Sequence, residues 1–495
     1  MNVLLYVIDS LRADHVSCLN GRRSTTPTID RLAAEGVLFS QCFAQGGWTL
    51  PSAAAMFSGQ YPRQTGVRRM HDRLAASIPW LPELLRDRGW RTALFTAMYQ
   101  VSTPLGFGRG FDHVAELFRD PEVVARRQSA DGVDRDSDYC LPLSEDLHAA
   151  AIRWLDAQSG DEPFFMAVWS IDAHEPFRHP TEFNVDADPE YRGPMDGRGR
   201  PYAKIRNRAD LDQLVALYDG GVRYQDAQLG KLIEELRARD LLDDTLIVVV
   251  ADHGEMFFEH GLHGHGKFPW DAQIRVPLVM RCPQVLPQGV VSDGLVDTLD
   301  LAPTILDLLG LEADARLPGV SLRPLAEERC AELHQAIWLD LPLPFDEREE
   351  AGAAITREWK YVEYEPPRLG RRVHSATKAL ARLGGALGRP GWRPLFYGHW
   401  RHWSTIEWLR AVFFDSAGYV AGKTRQYLFD RRLDPGERTN VARRRPEVVE
   451  TLAALRELSE RPHPEVVARP TKTPRIRPPS NVAAHLQQLG YVDRA

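Results

Sequence analysis

Asn2-Val3-Leu4-Leu5-Tyr6-Val7-Ile8-Asp9 opens the chain with an uncharged, mostly apolar run that ends in a carboxylate. A run of this length, apolar at successive positions, fits a strand buried on both faces, as in a parallel sheet covered by helices. Thr92 to Ala97, Phe164 to Ile171 and Leu246 to Ala251 repeat the pattern. Amphipathic stretches lie between them. Thr26-Pro27 starts a helix through Ala33 with an N-cap and an N1 proline, and Leu211 to Leu241 holds one or two longer helices. The alternation predicts an α/β fold: a large, mainly parallel sheet flanked by helices.

In such sheets ligands bind beyond the carboxyl ends of the strands, where loops and helix N-termini converge. Three of the predicted strands end in candidate ligands: Asp9, then Asp172 with His174, then Asp252 with His253. A single acidic residue after a strand is commonly a helix cap. Three such ends in one chain point to a site.

A chain of 495 residues exceeds what one core usually organises, so residues 1–330 are expected to form a catalytic domain and 331–495 a smaller α+β subdomain. In the second region Ala353 to Tyr364 reads as a strand pair or long strand. Leu428-Phe429-Asp430 reads as a strand leaving into the turn Asp434-Pro435-Gly436, and Arg443 to Leu458 as a surface helix. Between Arg368 and Arg425, eleven Lys or Arg stand against only Glu407 and Asp415, with Trp392, Trp400, Trp403 and Trp408 interleaved. This insertion reads either as a solvated helical segment whose tryptophans pack on the main body, or as an anion-binding lid, an oligomer contact or a membrane-surface element.

Composition narrows the function classes. A hydrophobic fraction of 43% and a charged fraction of 26% are those of a globular chain, and a net charge of −7 argues against general nucleic-acid affinity. The five cysteines, Cys18, Cys42, Cys140, Cys282 and Cys330, are odd in number and scattered, and read as free thiols in a reducing compartment. No apolar run reaches the roughly 18 to 20 residues of a membrane span. A strand that starts almost at the first residue leaves no room for a signal peptide, so a cytoplasmic location is expected.

Two further stretches carry chemistry. In Gly46-Gly47-Trp48-Thr49-Leu50-Pro51-Ser52 a glycine turn delivers a hydroxyl just ahead of a predicted helix, where free N–H groups and the positive helix end favour an anionic substrate. Thr49 is therefore either a helix N-cap or a nucleophile. Asp252-His253-Gly254-Glu255 is followed by His260, His263, His265 and Lys267. Oxygen-rich ligation by Asp9 and Asp252, with His253 and the Thr49 hydroxyl, suits calcium, magnesium or manganese, and admits zinc.

Taken with Thr49 to Gly59, Tyr61-Pro62, Asp172-Ala173-His174-Glu175-Pro176, Arg275-Val276-Pro277-Leu278, Asp300-Leu301-Ala302-Pro303-Thr304 and Leu428 to Glu437, these stretches resemble the sulfatase branch of the alkaline-phosphatase superfamily. The likeness runs in order along nearly the whole chain, and only Arg368 to Arg425 has no counterpart. It implies one divalent metal held by Asp9, Asp252 and His253, with Thr49 at the nucleophile position. It further implies His174 on the transferred group, His265 on the leaving oxygen with Lys267 nearby, and an anionic ester as substrate. Ser10 stands where many sulfatases have a second metal-binding aspartate, and Asp14 is a weaker candidate ligand. Pro176 stands where two-zinc relatives carry a histidine four residues after the aspartate, here Asp172, so one metal is expected. Two departures matter. Sulfatases carry Cys or Ser, then any residue, Pro, any residue and Arg, and oxidise the first to formylglycine. Thr49-Leu50-Pro51-Ser52-Ala53 lacks both the oxidisable residue and the arginine. The resemblance thus implies an unmodified Thr49 nucleophile and favours phosphoryl over sulfuryl transfer, with hydrolase and transferase both open; the competing reading, motivated by the missing cysteine and arginine, is a non-catalytic descendant that binds an anion or a partner.

Overall fold

The computed structural model describes the chain except residues 21–23, 131–141, 159–161, 199–200, 267–268, 313, 315, 343–349, 366–424 and 461–495. Fourteen strands are named in chain order among the described residues. The first ten are β1 (Asn2–Ile8), β2 (Val37–Phe43), β3 (Arg91–Thr96), β4 (His113–Glu116), β5 (Phe164–Ser170), β6 (Thr245–Ala251), β7 (Met256–Phe257), β8 (His263–Gly264), β9 (Arg275–Arg281) and β10 (Val290–Asp297). The rest are β11 (Ala336–Pro342), β12 (Glu350–Thr356), β13 (Trp359–Glu365) and β14 (Arg425–Asp430).

Eight of them form one sheet in the order β10-β2-β9-β6-β1-β5-β3-β4. β1 lies inside it, parallel to β5 and β6, with Val3 beside Phe165 and Leu246. All seven of its residues are buried, as are those of β5 and β6, because helices cover both faces. The four strands expected from sequence are present within a residue or two of their predicted ends. β9 departs from the parallel rule: it runs antiparallel to both β2 and β6. Its first residue therefore sits level with the last residues of its neighbours, at the ligand-binding edge.

The helix predicted after Thr26 is present as Pro27–Ala34, but the Thr26 side chain makes no capping bond to it; its hydroxyl reaches Ser17 and Asp30 instead. Leu211 to Leu241 resolves into one 31-residue helix, Arg208–Ala238, capped by Asn207, which accepts from the Asp210 amide and completes a capping box. The Gly220-Gly221 pair inside it does not end the helix. Gly221 is small because the Asp172 carbonyl lies only 2.5 Å from where its Cβ would be.

A second, four-stranded antiparallel sheet, β11-β12-β13-β14, follows. Ala353 to Tyr364 thus spans a hairpin made of β12 and β13. The expected surface helix from Arg443 is broken into short pieces, with Pro446–Ala453 its one α-helical run of eight residues. The buried faces of this sheet pack against the main body through Phe43, Ile274 and Leu295 on one side and Ala55, Tyr61 and Leu299 on the other. The basic insertion lies outside the described residues apart from Arg425, which begins β14. Among the described cysteines, Cys18, Cys42, Cys282 and Cys330 are free thiols, and Cys140 lies outside them. No described helix is long and apolar enough to cross a membrane.

Candidate active site

β1 and β6 are neighbours in register, Ile8 beside Ala251, so the residues that follow them emerge side by side. Asp9, Asp252 and His253 thereby come together, each offering a ligand atom within 4.8 Å of the others, and all three are fully buried. His253 Nε2 is 3.4 Å from Asp252 Oδ2 and 3.9 Å from Asp9 Oδ1. Its Nδ1 lies 2.9 Å from the Gly254 carbonyl, which only accepts, so that nitrogen carries the proton and Nε2 presents a lone pair to the cluster. Asp252 Oδ2 is buried and has no hydrogen-bond partner among the described residues. Its other oxygen accepts from the Ser10 amide at 3.1 Å and the His253 amide at 2.8 Å.

Ser10 sits in the left-handed region at φ 60°, which turns its amide toward Asp252 and its hydroxyl onto Asp9 Oδ1 at 2.9 Å. The residue standing in place of a second aspartate therefore orients the two carboxylates. Burial pushes the Asp252 carboxyl well above its ordinary value, and the neighbouring Asp9 adds to this. At Asp9, burial also acts upward, but the imidazoles of His174, His253 and His265 and the Ser10 hydroxyl outweigh it and hold the group below its ordinary value. Two buried carboxylates this close, one oxygen unpartnered and one imidazole lone pair turned inward, make a donor set suited to a divalent cation.

Thr49 is the first residue of the helix Thr49–Ser58, with Trp48 in the cap position. The N-cap reading is thus replaced: the Thr49 hydroxyl donates to Asp9 Oδ2 at 3.2 Å and lies 3.4 Å from His253 Nε2. Every residue of that helix is buried, Ala53 included, and Ser52 ties it to β6 by donating to the Asp252 carbonyl at 2.7 Å.

His174 and His265 complete the arrangement. Their ring centroids are 4.9 Å apart, and His265 stacks on His253 at 4.5 Å. His174 donates through Nδ1 to the Glu175 carbonyl, and its Nε2 is buried without a partner among the described residues. His265 Nδ1 is held at 2.9 Å by Glu255, whose other oxygen accepts from Tyr202 at 2.9 Å. The sequence alone assigns no role to Glu255 or Tyr202. Glu255 sits within the Asp-His-Gly-Glu stretch, but nothing local marks Tyr202.

Other predicted residues go elsewhere. Asp172 faces the helix Ser144–Asp156, accepting from the Ser144 amide at 3.1 Å and from its hydroxyl, and burial pushes its carboxyl up to about 7. It is the strand-end acid that turned out to serve a helix start, and it is not in the Asp9 cluster. Asp14 pairs with Arg12 through two bonds of 2.8 Å. His260 stacks on Trp270 at 3.8 Å and His263 on Tyr202 at 4.6 Å. Lys267 lies outside the described residues. A cavity of about 300 Å³ is lined by Tyr61, Asp297, Asp300 and His334 and shares no residue with the cluster. Its carboxylates are already bonded, Asp297 to Gln45 and Asp300 to His334 and the Val320 amide, so it is a satisfied structural network.

The family model for sulfatases matches residues 1–311. N-acetylglucosamine-6-O-sulfatase of Bacteroides thetaiotaomicron is 24% identical over 408 residues, covering 66% of this chain and 71% of that protein. Human iduronate 2-sulfatase is 24% identical over 394 residues, covering 64% and 70% respectively. Among solved structures, the phosphonate monoester hydrolase of Agrobacterium radiobacter superposes with a TM-score of 0.69 at 23% identity, covering 92% of this chain and 96% of that one. From the family match over most of the main sheet, this chain belongs to the sulfatase family of hydrolases.

Proposed function

We propose that the chain is a metal-dependent hydrolase of anionic esters that uses the unmodified Thr49 hydroxyl as nucleophile, and that its substrate is a phosphate or phosphonate ester. The observation that carries this reading is the fully buried Thr49 hydroxyl, held at a helix start between Asp9 and the inward-facing nitrogen of His253. Asp9, Asp252 and His253 would hold one divalent ion, which when bound lowers the charge barrier to attack on an anion.

In the first step the Thr49 oxygen forms a bond to phosphorus and its proton passes to Asp9, while the bond to the leaving oxygen breaks. His265, oriented by Glu255, delivers a proton from Nε2 to that oxygen. His174, with its Nε2 unpartnered among the described residues and its ring against His265, supplies a donor to a non-bridging oxygen when it is doubly protonated. In the second step water attacks phosphorus and gives a proton to His265, now deprotonated at Nε2, while the bond to the Thr49 oxygen breaks and Asp9 returns its proton to that oxygen. A formylglycine hydrate could instead expel its ester by collapsing to the aldehyde. Thr49 has no such exit, which is why the reading favours phosphorus over sulfur.

The test is intact-mass and peptide analysis after incubation with 4-nitrophenyl phosphate, bis(4-nitrophenyl) phosphate, 4-nitrophenyl phenylphosphonate and 4-nitrophenyl sulfate, each with Ca²⁺, Mn²⁺ or Zn²⁺. A covalent adduct on Thr49, lost together with at least about a hundredfold of turnover in Thr49→Ala, is the expected result. Undiminished turnover in Thr49→Ala would overturn it. An adduct formed only from the sulfate ester would move the substrate class to sulfur.

A further inference from the structure

The turn Asp271–Ile274, which leads into β9, bonds directly to two loops of the site and reaches a third through one of them. Ala44 donates its amide to the Ile274 carbonyl at 2.8 Å, and Gly254 donates to the Gln273 carbonyl at 2.7 Å. The Gln273 side chain, only 2% exposed, donates through Nε2 to the Gly47 carbonyl at 3.1 Å. That same carbonyl accepts from the Gly266 amide at 2.6 Å. The loops that carry Thr49, His253 and His265 are therefore all bonded either to Gln273 or to its one side-chain acceptor.

The approach is close enough to exclude side chains. A Cβ on Gly47 would stand 2.1 Å from Gln273 Nε2, and one on Gly254 would stand 2.2 Å from the Ala272 carbonyl. On its other side the turn is anchored by the small sheet. Asp271 donates its amide to Glu437 at 2.9 Å and accepts Lys360 at 2.6 Å, and Lys360, fully buried on β13, also pairs with Glu437.

We infer that Gln273 is a positioning residue: its amide sets the Thr49 loop against the metal-ligand turn, and the Lys360–Asp271–Glu437 cluster holds Gln273 in place from the small sheet. Gln273 belongs to neither the proposed ligand set nor the nucleophile, and the inference rests on Thr49 being the reacting group. A displaced Thr49 hydroxyl would still bind near the cation and the ester, but would attack poorly, since loss of alignment on the ångström scale costs on the order of a hundredfold in rate.

The experiment compares the full chain with Gln273→Met, which removes the donor at similar volume, and with Gln273→Glu, which sets an acceptor against the Gly47 carbonyl. Mn²⁺ affinity is measured by calorimetry, kcat and KM with whichever panel ester the wild type turns over, and amide exchange by mass spectrometry. Expected are a kcat lower by about tenfold to a hundredfold, with KM and Mn²⁺ affinity changed by less than about threefold. Amide exchange in peptides spanning residues 44–50 should quicken. Asp271→Asn should lower kcat in the same way by a smaller factor, and an unchanged kcat there overturns the part assigned to the small sheet. A kcat unchanged in both Gln273 variants, or one that falls only in step with Mn²⁺ affinity, overturns the whole. Where the wild type turns over none of the esters, it is the Thr49 reading that fails, and exchange decides the positioning role. Unaltered exchange at residues 44–50 in Gln273→Met then overturns it.

Discussion

His253 shows how one backbone bond sets the chemistry of a side chain. Because its Nδ1 is committed to the Gly254 carbonyl, the nitrogen facing Asp9 and Asp252 can only accept or ligate. His253→Ala should therefore remove the cation site, with Mn²⁺ affinity in calorimetry weakened by about a hundredfold or more. Ser10→Ala, which leaves the ligand set intact but frees the Asp9 carboxylate to rotate, should weaken it by about tenfold. Equal Mn²⁺ affinity in Ser10→Ala and wild type would show that the Ser10 hydroxyl does not orient the ligand. At this scale the sequence was readable where a strand ended. Asp9, Asp252 and His253 follow apolar runs that pair in register, so their meeting follows from the sheet. Asp172 obeyed the same local rule and misled, because what decides its role is the helix Ser144–Asp156, which starts nearly thirty residues earlier in sequence and meets it only in space. Gln273 carries no local signal, since its partners Gly47 and Gly254 become neighbours only after β9 enters the sheet against its neighbours' direction.

At the scale of elements, the small sheet is joined to the main one by a charge cluster as well as by apolar packing. Lys360 is fully buried between the nearly buried Glu437 and the half-buried Asp271, so removing it alone leaves two neighbouring carboxylates without the cation they share. Lys360→Met should cost about 3–5 kcal/mol in urea unfolding, and a substantial part should return when Glu437→Gln is added. No recovery in the double variant would mean that the loss comes from packing and not from stranded charge. The strands themselves were legible because burial on both faces leaves an unbroken apolar record. The continuity of the helix Arg208–Ala238 was not, because Gly220-Gly221 reads locally as a break, while the close Asp172 carbonyl that makes glycine fit there is a tertiary fact.

At the scale of the whole molecule, a buried polar chain links Asp172 through Ser144, Gln225 and Tyr6 to His148, and its two ends titrate in opposite senses. Burial lifts Asp172 from 3.8 to about 7, so between those values the folded state holds a proton that the unfolded state has lost, and stability falls as pH rises. Burial, with a smaller contribution from Lys231, lowers His148 from 6.5 to about 3, so the unfolded state binds the extra proton there and stability falls as pH drops. Between about pH 4 and 6.5 the two slopes offset each other. Relative to wild type, Asp172→Asn should therefore gain stability with rising pH by about 1.4 kcal/mol per unit across that window, and His148→Gln should lose it at the same rate. Urea midpoints measured at half-unit steps check both signs, and parallel curves for the three proteins would refute the offset. The inner position of β1 has one more consequence, and it concerns synthesis. β1 pairs with β5, some 162 residues later in sequence, and its closing turn meets Asp252 only 242 residues on. At translation rates of about 5–20 residues per second, β1 waits roughly 8 to 30 s with both hydrogen-bonding edges unpaired and both apolar faces uncovered before its first partner strand exists. Through that interval its unpaired N–H and C=O groups and uncovered apolar side chains are open to pairing with other chains.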